Sequence, residues 1–398
     1  MLDRGIDIVK VVIAPQGFKG SLSALQVAEA ISRGVEKAMP DVETIIVPMA
    51  DGGEGTIQAI VNAAGGEIVS VDVTDPIGRR ITAGWARLSD GITAVIEMAS
   101  ASGLQLVPEK MRDPLITSTY GTGELILDAL NKGCRKFIIG IGGSATNDGG
   151  AGMAQALGIN LIDKRGASLA LGGAALIELE DIDTAGMDLR LAECDIILAS
   201  DVTNPLCGPD GASLTYGPQK GATSEMTGEL DRALEHYAAV IRRELGIDVE
   251  NKPGAGAAGG LGAGMMAFIN ARMVPGIDIV IEATGLAGKM GGASLVYTGE
   301  GRIDAQTSYG KTAVGVARKA SQFGLTVIAI AGEIGSGYSA VYQEGVDAVF
   351  SIAPGPIGYE RCLRKAEELI SDVAERATRL FVSGWKQGYH ASESDKSA

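Results

Sequence analysis

KFIIGIGGSATNDGGAG (residues 136–152) runs from an apolar segment into a glycine-rich turn and out into a helical pattern. Phe137 to Ile141 has strand length and β-branched content. Met153, Ala156 and Leu157 then recur at helix spacing. Strand, glycine turn and helix together aim backbone N–H groups and a helix N-terminus at an anion. Without a Cβ, Gly142 and Gly143 let a ligand approach the backbone, and Ser144, Thr146 and Asn147 add donors. Asp148 adds a carboxylate, which repels a phosphate unless a cation lies between them. A phosphate cradle holding an acid suggests a metal–phosphate site. One such stretch is explained by a tight turn that needs glycine for geometry alone, but this chain has several.

On both sides the rhythm is α/β. Residues 6–15 read as a buried strand, and 42–51 as a second. Between them a helix, capped by Ser21 or Ser23, carries Leu25, Ala28, Ile31, Val35 and Met39 on its apolar face. A further helix is expected from Gly52. Short connections of this kind imply a parallel sheet under helical cover. Residues 67–100 differ: short alternating strands flank Asp75-Pro76 and Asp90-Gly91, which suggests antiparallel hairpins. Residues 159–166 and 194–206 read as strands, 225–246 as a long amphipathic helix, and 253–271 as a glycine loop entering a small-residue helix. The α/β rhythm returns from about residue 276. The expected architecture is α/β with two domains. Residues 1–70 and 265–384 form a discontinuous Rossmann-like parallel sheet domain, and 71–264 a mixed α/β domain inserted into it. The active site is expected in the cleft between them, and residues 385–398 form a polar tail.

Composition narrows the function. The chain has 398 residues, 46% of them hydrophobic, enough for a sizeable core. The net charge of −15, with no basic stripe and 4% aromatics, argues against nucleic-acid binding. Cys134, Cys194, Cys207 and Cys362 are scattered and form no C-x-x-C pair, as expected of reduced thiols in a cytoplasmic protein. No signal-peptide pattern and no apolar run of membrane-spanning length is present. With only His236 and His390, acid–base work falls to Asp, Glu or Lys.

Acidic, glycine-bearing loops follow several strands: Asp51 to Glu54, residues 142–150, Asp201 to Asn204, and Gly299 to Asp304. Ligands bind beyond the carboxyl ends of strands in open α/β sheets. Lys19, Arg302 and Lys311 stand in similar places. Carboxylates for Mg²⁺, cations for phosphate oxygens and N–H cradles are the parts of phosphoryl transfer. Taken singly, each acid reads as a helix cap. Two dinucleotide look-alikes compete. Gly140-x-Gly142-x-x-Ala145, with Asp163 after a second strand, supports an NAD-linked oxidoreductase of a small hydroxy acid as an alternative. Gly254-x-Gly256-x-x-Gly259 lacks a preceding apolar strand. Ala305-x4-Gly310-Lys311-Thr312 approximates a phosphate loop but lacks its first glycine. A non-catalytic nucleotide- or phosphate-binding protein is the third alternative.

VVIAPQGFKGSLSA, VPMADGGEGT, RDPLITSTYGTGELI, IGIGGSATNDGGAG, SDVTNPLCGPDGA, YGPQKGA, PGAGAAGGLG and TGEGRIDAQT follow one another in an order that resembles the bacterial glycerate kinases that make 2-phosphoglycerate. The resemblance spans about Val11 to Phe381. It implies ATP- and Mg²⁺-dependent phosphorylation of D-glycerate by two α/β domains, one inserted in the other, with no nucleic-acid or membrane partner and with homo-oligomerisation open. It also makes the phosphate-loop match a coincidence, since the family is not of the P-loop type. One departure stands out: the family usually reads Asp-Ser where this chain has Gln16-Gly17. On chemical grounds Asp201 is the acceptor for the attacking hydroxyl's proton. Lys19 and Arg302 face the glycerate carboxylate or ATP phosphates, and Asn204 adds a substrate contact. Gly142, Gly143, Ser144, Thr146, Asn147, Gly299 and Lys311 are expected to contact ATP. Asp51, Asp148, Glu300 and Asp304 are expected at Mg²⁺.

Overall fold

The computed structural model describes residues 9–18, 20–50, 60–61, 64–309, 311–356 and 358–394. Lys19, Asp51, Glu54 and most of the helix expected from Gly52 lie outside these residues. The described residues fall into two compact units, one drawn from Met1–Asp51 and Val280–Ala398, the other from Gly52–Ile279. The divisions lie near residues 51 and 279, against about 70 and 265 read from the sequence.

The first unit opens with β1 (Lys10–Pro15) and α1 (Ala24–Ala38). Ser23 starts α1 with a capping box, its hydroxyl accepting from Gln26 N–H while the Gln26 side chain returns to the Ser23 N–H. Val27, Ala28, Ile31 and Val35 are buried, whereas Leu25 sits one position off the apolar stripe and is exposed. β2 (Glu43–Ile46) pairs in parallel with β1.

The chain then builds the second unit. β3 (Gly66–Thr74), β4 (Arg80–Leu88) and β5 (Thr93–Glu97) form an antiparallel meander, as the alternating pattern indicated. Asp75 and Asp90 hold its turns by accepting from Ile77, Arg79, Ile92 and Thr93. α2 (Tyr120–Asn131) leads to β6 (Lys136–Gly140), the glycine turn and α3 (Ala151–Ala156). β7 (Asn160–Asp163) and β8 (Leu179–Asp183) make a small antiparallel pair, the latter hidden in an acidic stretch. β9 (Asp195–Ala199), α4 (Ser224–Leu245), α5 (Leu261–Phe268) and β10 (Arg272–Val274) follow. The sheet order is β10-β9-β6-β5-β4-β3, and β5, β6, β9 and β10 are mutually parallel. Trp85, Phe137, Leu198 and Tyr237 belong to its core.

α6 (Gly276–Ala283) carries the chain back to the first unit. β11 (Leu295–Ile303), α7 (Thr312–Ser321), β12 (Thr326–Ile334), β13 (Ala348–Ser351) and α8 (Ala366–Ser394) complete it. The fully parallel sheet reads β13-β12-β11-β1-β2. Val11, Ile13, Leu295, Tyr297 and Ile330 pack with α1 and α8 in one cluster, while α7 packs against β11, β12 and β1. From β1 the chain steps to β2 on one side, and from β11 to β12 on the other. The topological switch therefore lies between β1 and β11.

Candidate active site

In the second unit the paired strands β5, β6 and β9 end level with one another, Glu97 opposite Gly140 and Gly140 opposite Ala199. The segments that leave these strands therefore share one edge. After β6, Gly142 and Gly143 are exposed, while Ser144, Thr146, Asn147 and Asp148 are buried. The turn is pinned from outside: Leu104 N–H donates to Gly143 O, and Ala145 N–H to Ser102 O. Only the first two glycines are open to a ligand. Thr146 and Asn147, expected as ATP contacts, point into the protein, where Asn147 Nδ2 donates to Ser213 Oγ at 2.9 Å.

Asp148 is fully buried. Its Oδ2 accepts from Thr119 N–H (2.8 Å), Thr119 Oγ1–H (2.9 Å) and Gly152 N–H (3.2 Å), and its Oδ1 from Gly150 N–H (3.3 Å). Burial pushes the carboxyl upward, against those hydrogen bonds. A carboxylate sealed from solvent, with donors on both oxygens, does not fit a magnesium ligand, which corrects that expectation for Asp148. It organises the turn instead. Lys220, which its local sequence does not mark as a site residue, is also buried and donates to Thr146 O at 2.7 Å. Burial pulls its ammonium down to about 7, with the charge of Asp148 opposing. A lysine inside YGPQKGA, flanked by glycine and glutamine, carries no local sign of burial; only the packing reveals it.

Asp201 follows β9 and is exposed. Its Oδ1 accepts from Gly276 N–H at 3.1 Å, at the start of α6. The carboxylate thus takes the first N–H of a helix distant in sequence, and the bond fixes it at the edge that carries Gly142 and Gly143. Asn204 is held from both ends, donating to Asp210 O at 2.7 Å and accepting from Tyr216 OH at 2.8 Å.

In the first unit, Gly299, Glu300 and Arg302 lie within β11, not on a loop after it. The pairing of β11 with β12 runs on through Arg302 opposite Glu333, so a polar segment stays extended. Gly299 is buried between strands, and a Cβ there would meet Ile330 O at 2.2 Å. It serves strand packing, which corrects its assignment to an ATP cradle. Glu300 is buried. The Arg302 guanidinium reaches Asp304 (3.0 Å) and Glu333 (3.6 Å), and Asp304 Oδ1 accepts from Gln306 N–H at 2.9 Å. Lys311 precedes α7 in extended backbone. Gln16 N–H donates to Gly299 O at 2.8 Å, a backbone bond that is indifferent to the family's usual acid at this position.

The dinucleotide readings fail on geometry. No helix opens at Ala145; α3 starts only at Ala151, after Gly150. A Cβ on Gly256 would meet Pro205 O at 2.2 Å, and one on Gly259 would meet Thr146 O at 1.9 Å. These glycines admit neighbouring backbone, not a cofactor. Among the described residues no three His, Cys, Asp or Glu side chains gather into a group able to hold a metal. No helix among them is long and apolar enough to cross a membrane. The four cysteines are unpaired thiols.

The model of the glycerate kinase family matches residues 11–382. The chain belongs to the glycerate kinase family. Glycerate 2-kinase of Escherichia coli K12 is 52% identical over 95% of this chain and 99% of its own. Glycerate kinase of Halalkalibacterium halodurans is 49% identical, with the same shares covered. Among solved structures, a Salmonella typhimurium LT2 protein assigned as glycerate kinase 2 superimposes with a TM-score of 0.87 at 48% identity, covering 96% of this chain and 100% of that one. For a glycerate kinase the chemistry required is an acceptor for a hydroxyl proton, donors for phosphate and cations for a small carboxylate. Both units carry such groups at the carboxyl ends of their parallel strands.

Proposed function

We propose that this chain transfers the γ-phosphoryl group of ATP to the 2-hydroxyl of D-glycerate, giving 2-phosphoglycerate and ADP. The observation that carries the chemistry is Asp201: an exposed carboxylate at a strand end, fixed by the Gly276 N–H, on the edge that presents the exposed Gly142 and Gly143. Such a group accepts the hydroxyl proton as the oxygen attacks phosphorus. Membership in the glycerate kinase family and half-identical relatives of full length support the substrate.

In this reading Gly142 and Gly143 offer N–H groups to phosphate oxygens, the buried Ser144 does not, and Asn204 orients the acceptor. Arg302, already held between two carboxylates, exchanges one of them for an anionic ligand, and Lys19 adds a second cation. Magnesium arrives with the nucleotide. It needs one or two carboxylates plus phosphate oxygens, not a closed protein cage. Asp304 fits, being partly exposed at the end of β11; Glu300 and Asp51 complete the set in this proposal, and Asp148 leaves it.

Phosphorus NMR of the product, with D-glycerate, L-glycerate and other small hydroxy acids offered, tests the assignment. A 2-phosphoglycerate signal from D-glycerate, abolished by excess chelator, is expected. A 3-phosphoglycerate signal would overturn the regiochemistry, and no ATP consumption would overturn the reaction.

A further inference from the structure

In the first unit the chain order switches between β1 and β11, and open α/β sheets bind ligands beyond the carboxyl ends of strands at such a point. Two helix N-termini stand at that edge, because each follows a strand there: α1 after β1 and α7 after β11. They differ in how their first N–H groups are used. α1 closes its own end through the Ser23–Gln26 capping box. α7 is preceded by Lys311, whose backbone is extended and whose side chain makes no cap. The preceding segment, Ala305–Tyr309, satisfies itself through Asp304 and Thr307.

A second observation is independent of the helix end. Thr312, the first residue of α7, is fully buried, and its Oγ1 has no hydrogen-bond partner. A buried hydroxyl left unpaired costs on the order of 1–3 kcal/mol, so native chains seldom keep one without use. A threonine is not needed to fill the space, since valine has the same shape. Next to it the Lys311 ammonium makes no ion pair among the described residues. Thus a positive helix end, a spare hydroxyl donor and a spare ammonium occur together at the switch edge of the sheet.

We infer that the N-terminus of α7 is a phosphoryl-binding site, in which the Thr312 hydroxyl, the Lys311 ammonium and the first-turn N–H groups hold a phosphate of the nucleotide. The inference rests on the kinase reading for its choice of ligand. It does not restore a P-loop, because the α7 end follows a short 3₁₀ segment and the Lys–Thr pair acts through the helix terminus alone. The same groups would equally fit the phosphate of a phosphorylated product, and the experiment separates the two sources.

Calorimetric titrations of the full chain with adenosine, ADP, a non-hydrolysable ATP analogue and 2-phosphoglycerate decide it, for the natural protein and for Thr312→Val, Thr312→Ser and Lys311→Met. Thr312→Val is expected to weaken the ATP analogue and ADP about tenfold or more, the scale of one hydrogen bond to a charged group. Adenosine binding should not change, and Thr312→Ser should restore the loss. Lys311→Met should weaken the same two ligands and again spare adenosine. Without ligand, Thr312→Val should melt at or above the natural protein, because it removes the unpaired hydroxyl; this shows that the variant folds. Loss confined to 2-phosphoglycerate would keep the phosphoryl site but move it to the product. Natural affinity of both Thr312→Val and Lys311→Met for every ligand overturns the site while leaving the kinase reading intact. If the natural protein binds nucleotide but transfers no phosphoryl group, the kinase reading fails, and the same variants still decide the site.

Discussion

Replacing Asp148 by asparagine is expected to loosen the glycine turn and not merely to remove a charge. The amide can accept on one side only, so it turns a donor toward Thr119 and Gly152 or toward Gly150, and it strips the buried Lys220 of its counter-charge. A loss of about 3 kcal/mol or more in urea denaturation is the expected outcome; a stable variant lacking only its magnesium response would return Asp148 to the metal. Lys220 gives a pH signature. Its folded value lies near 7 and its ordinary value at 10.5, so between these the unfolded chain binds a proton that the folded chain does not. Stability should therefore rise with pH from about 7 toward 10, while Tyr237, pushed well above its ordinary 10, stays neutral. Urea midpoints across that window should show the rise in the natural protein and lose it in Lys220→Met. Asp201 separates its two duties by substitution. Asparagine keeps the bond to Gly276, so Asp201→Asn should fold normally yet lower kcat by about 10²–10⁴; near-normal kcat would remove Asp201 from proton transfer.

At the scale of elements, the close approaches are made at glycine. Gly34 lies where α1 crosses α8, and a Cβ there would fall 2.2 Å from Ser371 O and 2.7 Å from Ala374 Cβ. Gly34→Ala gains helix propensity but must push the helices apart, for a net loss of about 1–3 kcal/mol. Gly259 combines a positive φ of 71° with a Cβ position 1.9 Å from Thr146 O. Gly259→Ala should cost more than Gly34→Ala, because backbone strain adds to the clash. Chemical denaturation of the two variants beside the natural protein checks the order. α1 was legible in the sequence because its cap and its stripe are local: Ser23, Gln26 and the spacing of Ala28, Ile31 and Val35 suffice. β8 was not, because Leu179–Asp183 keeps only Leu179 and Ile182 buried, and its strand state comes from pairing with β7.

At the scale of the whole molecule, the described residues include a core around Trp85, Phe137 and Tyr237 that shares no residue with the one around Val11, Tyr297 and Ile370. Only the unit within Gly52–Ile279 is continuous in sequence. A chain from Ile60 to Ile279 should therefore fold by itself and unfold cooperatively in urea, because a domain with its own core needs no outside contacts. Trp85 reports the transition, being fully buried with its Nε1–H on Asp128 at 2.8 Å. A non-cooperative transition would mean that this unit depends on the rest of the chain.

The apolar run from Val11 to Ala14, the meander turned at Asp75 and Asp90, and the strand–glycine–helix order around residue 142 are written in local patterns, and they determined the α/β class. The long motifs likewise determined the family. Burial and pairing were decided by the tertiary structure. Residues 142–150 read as one uniform polar cradle, yet folding exposes Gly142 and Gly143 and seals Asp148 beneath them, because Thr119 reaches it from a distant segment and Lys220 is buried against the same turn. Gly299 and Glu300 read as a loop, yet β12 beside them keeps them in a strand. A side chain's type is local, whereas its solvent and its hydrogen-bond partners are supplied by residues far away in sequence. For that reason chemistry could be read from the order of residues, and the role of each acid only from what surrounds it.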